Sequence, residues 1–437
     1  MHLQLRTKFI QTIENPQFVK KQLLRWSQMF REIVFLDSND NHSQYSTYDC
    51  VLAVDAFTSI QTDFISAFED LDSYQKITKD WLFGYLSYDL KNDTESLHSE
   101  NKDGLNFPDL YFFQPKKLIF IRDNHIEFLY LNVCSDEIES DYQEIIHLTL
   151  EKEIIQNEIH VQQRISKQDY VVKVGKMLEY IQNGTIYEAN FCMEFFAENA
   201  TINPHATFES LNEISQAPFS CFFKNNKHYA ISASPERYLK KMGDKCISQP
   251  IKGTSRRFQN EDEDEQSKIN LANDPKERSE NIMIVDLVRN DLSKTAQKAS
   301  VKVEELCQIY SFLQVHQMIS TVTSLIKPEF SAVAVIKSTF PMGSMTGAPK
   351  ISAMKIIEEL EETKRGLYSG AIGYFTPENE FDFNVVIRSI LYNESTKYLS
   401  FSVGSAITSK SEPEKEYEEC LLKARAMRLV LNDKELV

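Results

Sequence analysis

Lys252, in Ser248-Gln249-Pro250-Ile251-Lys252-Gly253-Thr254, presents one amine at a rigid turn after the apolar, strand-like run Lys245-Cys246-Ile247. Pro250 fixes its own φ and pushes Gln249 toward extended geometry, while Gly253 permits a backbone shape or a ligand approach that a Cβ would forbid. Such a lysine is held in place, although the same string in isolation also fits a solvated turn. Two glutamate pairs join it. Glu277 and Glu280 open a helix expected over Pro275 to Asn290, and Glu416 and Glu419 lie on one expected from Pro413 to Leu431. Spacing of i to i+3 puts both members of each pair on one face. Four carboxylates converging at a core edge would repel unless neutralised, and a hard divalent cation with oxygen ligands would do so. Solvated helix faces are the competing reading.

Phe340-Pro341-Met342-Gly343-Ser344-Met345-Thr346-Gly347-Ala348-Pro349-Lys350 leads into the amphipathic pattern Ile351 to Glu362. A proline at the first helical turn after small residues leaves backbone N–H groups free to point at a carboxylate or phosphate. Arg365 to Tyr374 is a glycine-studded turn and strand, and Phe383 to Leu391 reads as one strand with Arg388 among apolar neighbours. A buried arginine there needs an anion, either a bound carboxylate or a structural partner. His316, in Val315-His316-Gln317-Met318, suits a general base or a satisfied core histidine.

The positioning elements follow from hydrophobic period and turn residues. Helical spacing marks Gln17 to Phe30, Phe64 to Tyr74, Asp169 to Gln182 and Ala206 to Ile214, with Asn183-Gly184 a left-handed exit. Strands are expected at Glu32 to Leu36, Val51 to Ala56, Trp81 to Tyr88, Leu110 to Phe113, Leu118 to Arg122, Ile126 to Leu131 and Ile186 to Phe196. Hairpins turn at Asp123-Asn124-His125 and Asn225-Asn226, and the last of these strands' successors feeds Ser234-Pro235-Glu236-Arg237 and Lys252. Glu261 to Glu265 reads as a solvated acidic loop. Residues 1–155 form a sheet-containing N-terminal region, Ser135 to Ile159 an acidic, helix-prone connector, and 156–437 the region that carries the chemistry.

With 437 residues, 42% of them hydrophobic and 26% charged, the chain can bury a large core. A formal charge of -16 argues against nucleic acid as a partner. No signal-like segment opens the chain and no apolar run approaches the ~18 residues of a membrane span. Seven scattered cysteines without CxxC spacing fit a reducing compartment, so a cytoplasmic location with no membrane partner is expected. None lies in a G-x-C-x-G setting, so no glutaminase nucleophile is visible.

Taken together, SPERYL, PIKGT, ENIMIVDLVRNDL, FPMGSMTGAPK, SGAIGY and PEKEYEECLLKA resemble, in the same order, the chorismate-utilising enzymes over about residues 165 to 430. FLDSN and LFGYLSYDL extend the likeness loosely to the N-terminal half. The resemblance implies an α+β fold, two large antiparallel β-sheets packed as a sandwich with helices outside. PIKGT resembles the branch that aminates chorismate at C4 toward p-aminobenzoate and folate, whereas the anthranilate branch typically has alanine at the lysine. It implies that Lys252, as a free amine whose pKa burial or a nearby cation would depress, attacks C2 while the C4 hydroxyl leaves, with Glu236 the general acid. His316 matches a family histidine shared by both amidating branches. Glu280 and Glu419 match Mg²⁺ ligands, with Glu277 and Glu416 behind them. Tyr368 and Arg388 match residues that hold the enolpyruvyl carboxylate, and Thr254, Thr346, Gly347, Gly404 and Lys423 match further substrate contacts.

Two positions depart from the pattern. Glu188, in Tyr187-Glu188-Ala189-Asn190, stands where isochorismate and salicylate synthases have a water-activating lysine and the amidating branches usually have glutamine. Val403-Gly404-Ser405-Ala406 replaces a more glycine-rich loop. The resemblance therefore implies an aminating enzyme that takes ammonia from a separate glutamine amidotransferase subunit, with no room after the Glu416 helix for a fused lyase. An anthranilate-forming enzyme and a non-catalytic scaffold for a glutaminase are the alternatives.

Overall fold

The computed structural model describes residues 5–41, 44–150, 158–313 and 315–433. Its pivot is a pair of long strands, Cys50–Thr62 and Leu110–Arg122, paired antiparallel from Cys50↔Ile121 to Thr62↔Leu110. From one side of this pair an antiparallel arm runs through Glu32–Asp37, Phe219–Asn225, His228–Ser234, Ser389–Asn393 and Tyr398–Thr408 to Glu188–Ala197. From the Leu110 end a second arm runs through Leu82–Leu86, Ala371–Phe375, Phe381–Asn384, Arg237–Met242 and Lys245–Gln249 to Val315–Leu325. The last strand also pairs with Ile251–Arg256 and Lys302–Ser311. Strands from both sides of residue 155 thus share ladders.

Alternation along each strand sorts side chains onto two faces. Ile33 and Phe35 join one core with Leu52, Val54, Phe222, Phe191 and Phe401, against the helices Pro16–Ser27, Lys167–Gln182, Pro204–Ser215 and Pro413–Val430. Val34 and Leu36 join the other with Val51, Phe223, Tyr374, Phe383 and Leu239, and with the helices Ala67–Thr78, Pro275–Ser293 and Ala332–Thr339. The fold is α+β, large antiparallel sheet arms with helices at their periphery, as expected. Among the described residues no helix is long and apolar enough to cross a membrane.

Three local expectations change. Leu110 to Phe113 and Leu118 to Arg122 are one strand, because Pro115, which has no N–H to give, falls at the bulge between Ala56 and Thr58. Glu261 to Glu265 is the first turn of a helix, Glu261–Asn273, and not a loop. Its cap is Asn260, whose side chain accepts from the Glu263 N–H, and acidic residues in a first turn suit the helix dipole. The run Phe383 to Leu391 is broken into Phe381–Asn384 and Ser389–Asn393, with Arg388 in the left-handed region at φ +53° between them. Of the connector Ser135 to Ile159, residues 151–157 lie outside the described residues, and the described part holds the helix Ile138–Ile146.

Candidate active site

The Pro-Ile-Lys-Gly-Thr string forms a bulge. Ile251 pairs with Ile319 and Thr254 with Gln317, so three steps on one strand face two on the other. Such an extra residue re-aims its side chain. Gly253 makes it possible: its φ is +92°, and a Cβ there would lie 3.2 Å from Glu277 Cβ and Oε2. Lys252 consequently reaches Glu188, with Nζ 3.1 Å from Oε1. Glu188 is 1% exposed and starts the strand Glu188–Ala197, flanked by Ala348 and Thr408. Gly347 allows that approach, since a Cβ on it would fall 2.1 Å from the Glu188 carbonyl oxygen.

Glu236 occupies the turn between His228–Ser234 and Arg237–Met242 and is 5% exposed. Burial pushes its carboxyl up to about 7, against the opposing pull of the Ser344 hydroxyl and the Lys252 charge. For Lys252 the expected depression is reversed. Burial drives its amine down, but Glu188, Glu280 and Glu236 outweigh that, and the net direction is up. An uncompensated carboxylate cluster favours the ammonium.

The helix Pro275–Ser293 brings in the first glutamate pair, capped by Asp274, which accepts from the Lys276 and Glu277 N–H groups. Glu280 is pushed up to about 7, chiefly by burial and against the pull of Lys252, and Glu277 is raised by burial and by Glu419. On Pro413–Val430, Glu416 is buried. Glu419 bonds Lys423 at 2.6 Å, and Lys423 also donates to the Gly404 carbonyl at 2.8 Å. Burial acts to raise Glu419, but the lysines carry it below the usual range. Lys276, a residue absent from the sequence reading, puts its ammonium 3.5 Å from Glu416 Oε1 and 3.9 Å from Glu280 Oε1. Glu280 Oε1 has no hydrogen-bond partner although buried. Hard carboxylate donors with one orphaned oxygen suit a divalent cation. Among the described residues, however, no three acidic, histidine or cysteine side chains are drawn together as a closed ligand set. Lys276 supplies the counter-charge in this arrangement.

Arg388 makes no side-chain hydrogen bond among the described residues. Burial lowers its basicity, with Tyr368 and Glu419 acting the other way. Its guanidinium is therefore presented to the same space that Glu419 faces. Tyr368 is 4% exposed, its hydroxyl in contact with Cys192 Sγ at 3.7 Å. Thr346 spends its hydroxyl on the Met342 and Gly343 carbonyls, so any contact it makes falls to its backbone. Thr254 lies two residues beyond Lys252 in the same strand. His316 is 1% exposed and bonded through Nδ1 to Ser311 and through Nε2 to Asp264, at 2.8 and 3.1 Å. Those bonds tie the helix Glu261–Asn273 to the strand Val315–Leu325. Another tie went unseen in the sequence. Arg365 pairs with Glu361 and donates to the carbonyls of Met345 and Asn190, fixing the Gly343 to Ala348 loop on the Glu188 strand.

Buried carboxylates, three lysines and Arg388 thus form one charged cluster on an antiparallel α+β scaffold. The chain belongs to the chorismate binding enzymes, whose family model matches residues 31–429. It is 32% identical to a chloroplastic aminodeoxychorismate synthase of Arabidopsis thaliana over 88% of this chain and 44% of that protein, so it spans less than half of that relative's length. It is 31% identical to anthranilate synthase component 1 of Lactococcus lactis over 79% of this chain and 77% of that one. The crystal structure of anthranilate synthase component I from Streptococcus pneumoniae shares the fold, with a TM-score of 0.78, 23% identity, and coverage of 89% of this chain and 95% of the other.

Proposed function

We propose that this chain aminates chorismate at C4 to give 4-amino-4-deoxychorismate, using ammonia from a separate glutamine amidotransferase subunit, on the route to p-aminobenzoate and folate. The carrying observation is Lys252, bulge-held and with its side chain 12% exposed, with Nζ 3.1 Å from Glu188 and the charge of Glu236 close by. In this reading Nζ forms a bond to C2 of chorismate while the C4–O bond breaks, and Glu236 gives the proton with which the hydroxyl leaves. Ammonia then forms the C4–N bond as the C2–Nζ bond breaks. A carboxyl held at about 7 suits that donor, because it is still substantially protonated at neutral pH. Arg388, beside Tyr368, offers its unpaired guanidinium to the enolpyruvyl carboxylate. Thr254, Gly347, Gly404, Lys423 and the Thr346 backbone bound the rest of the substrate space. Glu280 and Glu419, supported by Glu277 and Glu416, are the residues that would hold Mg²⁺, which when bound supplies positive charge for the ring carboxylate. Lys276, 3.9 Å from Glu280 Oε1, would give up its role as counter-charge if Mg²⁺ were held there.

The second reading, formation of anthranilate, draws support from the Lactococcus relative and from the raised lysine. An amine held as an ammonium beside Glu188 is not yet a nucleophile, and ammonia attacking C2 directly would not need it. The test incubates the purified chain with chorismate, Mg²⁺ and ammonium, with and without a lyase that converts aminodeoxychorismate, and identifies products by mass. p-Aminobenzoate appearing only with the lyase is the expected result. Anthranilate without the lyase would establish the second reading. No turnover even with a glutaminase partner would leave a chorismate-binding scaffold.

A further inference from the structure

We propose that Glu188 is the proton acceptor for Lys252, taking one proton from Nζ as it attacks and returning it when Nζ leaves. This rests on the reading of Lys252 as the nucleophile and goes beyond it by explaining how a lysine resting as an ammonium becomes an amine. Two observations carry it, together with the role proposed for Glu236. Glu188 Oε1, at 3.1 Å, is the acceptor to which Lys252 Nζ donates, so the departing proton has one short path. Glu236, another carboxyl nearby, moves its proton the opposite way in the proposed mechanism, toward the leaving hydroxyl. Glu188 is 1% exposed and, among the described residues, its Oε2 has no hydrogen-bond partner, so this oxygen is uncommitted.

The step balances. The N–H bond of Lys252 breaks, its electron pair stays on nitrogen and forms the N–C2 bond, and the proton resides on Glu188 until ammonia expels the lysine. The Glu188 backbone is pinned between Ala348 and Thr408, which keeps the acceptor in register with the bulge. A glutamate at this position is thus a working part of the site, where glutamine could hold the lysine but could not relieve it of a proton.

The proposal has a diagnostic: a proton passed within the pair stays in the pair, so the reactive share should not vary with pH between 6 and 9. In Glu188→Gln the oxygen remains but the acceptor is gone, and Lys252 must lose its proton to solvent. Glu236 before Arg237–Met242, Glu277 and Glu280 on Pro275–Ser293 and Glu419 on Pro413–Val430 also act on Lys252, and they are common to both proteins. Glu236, Glu277 and Glu419 cancel in the ratio of variant to wild-type rate; Glu280 is itself raised by Glu188, and saturating Mg²⁺ on its carboxylate would keep that difference out of the pH profile.

The experiment measures 4-amino-4-deoxychorismate formation between pH 6 and 9 at saturating Mg²⁺ and ammonium for wild type, Glu188→Gln, Glu188→Asp and Lys252→Ala. The expected result is a Glu188→Gln kcat about a hundredfold lower at pH 7, with KM for chorismate changed by less than about twofold, and a ratio climbing about tenfold per pH unit. Glu188→Asp should restore a pH-independent ratio. Lys252→Ala should be inactive. A Glu188→Gln ratio that is flat with pH, with Lys252→Ala inactive, would overturn the role of Glu188 and leave the nucleophile standing. Turnover by Lys252→Ala would overturn both.

Discussion

Glu236→Gln is expected to make the protein more stable and less active at the same time. The Glu236 carboxyl lies at about 7 in the folded chain against an ordinary 4.5, and burial is the main cause. That difference corresponds to about 3 kcal/mol of preference for the protonated form. Below pH 4.5 the group is protonated whether the chain is folded or not, and it costs nothing. Between 4.5 and 7 the unfolded chain releases the proton and the folded chain keeps it, so folded stability falls as pH rises. Above 7 the loss is complete. Glutamine keeps the shape and stays neutral throughout, so the variant should equal wild type near pH 4 and exceed it by about 3 kcal/mol at pH 8. Spread over 437 residues this is a rise in Tm of about 3 °C. Urea unfolding at pH 5 and pH 8 reads the difference, and kcat should fall by about 10²- to 10⁴-fold because the leaving hydroxyl has lost its proton donor. A variant no more stable than wild type at pH 8 would refute the claim that a buried charge is being carried there.

Binding of Mg²⁺ to the carboxylate cluster should release protons near pH 7, since Glu280 is held at about 7 without it; calorimetry in two buffers of different ionisation enthalpy reads the number. Gly253→Ala should cost about 1–3 kcal/mol in urea unfolding and most of the activity, because φ +92° strains any Cβ and Glu277 must move to admit it. Arg365→Met should cost about 3–5 kcal/mol by leaving Glu361 charged and unpaired in the interior, whereas Arg365→Met with Glu361→Gln should recover a large part of that loss. Both Arg365 variants should loosen the Gly343 to Ala348 loop, seen as a raised KM for chorismate.

What could be read from the chain was whatever short-range chemistry states. Pro250 and Gly253 flank Lys252 and announce a fixed amine, and the i to i+3 spacing on the helix Pro275–Ser293 announces that Glu277 and Glu280 share a face. The Arg388 kink was invisible because the apolar run continues on both sides of it, and the break comes from the two strands joining different partners. The helix Glu261–Asn273 was hidden by its lack of an apolar period before Leu271, and its cap, Asn260, went unread. Glu188 registered only as an odd residue. Glu188 is laddered to Ala348 and Thr408 and the Lys252 bulge to Val315–Leu325, so their meeting joins strands of separate ladders, and no local signal encodes that. For the same reason the direction of the Lys252 shift could not be seen, since it is set by three carboxylates from three separate segments.

The ladder between Leu82–Leu86 and Ala371–Phe375 also bears on how the chain is made. Leu86 meets Ala371, about 285 residues later in the sequence. At ribosomal speeds of ~5–20 residues per second, an apolar strand edge emerges and then waits roughly 15 to 60 s for its partner to be synthesised. Closure comes later still, when the Ile159 N–H finds the carbonyl of Leu431. The interval of greatest hazard is therefore a property of translation, and the yield of folded protein in a cell is governed by how fast the message is read and how well that waiting edge is shielded.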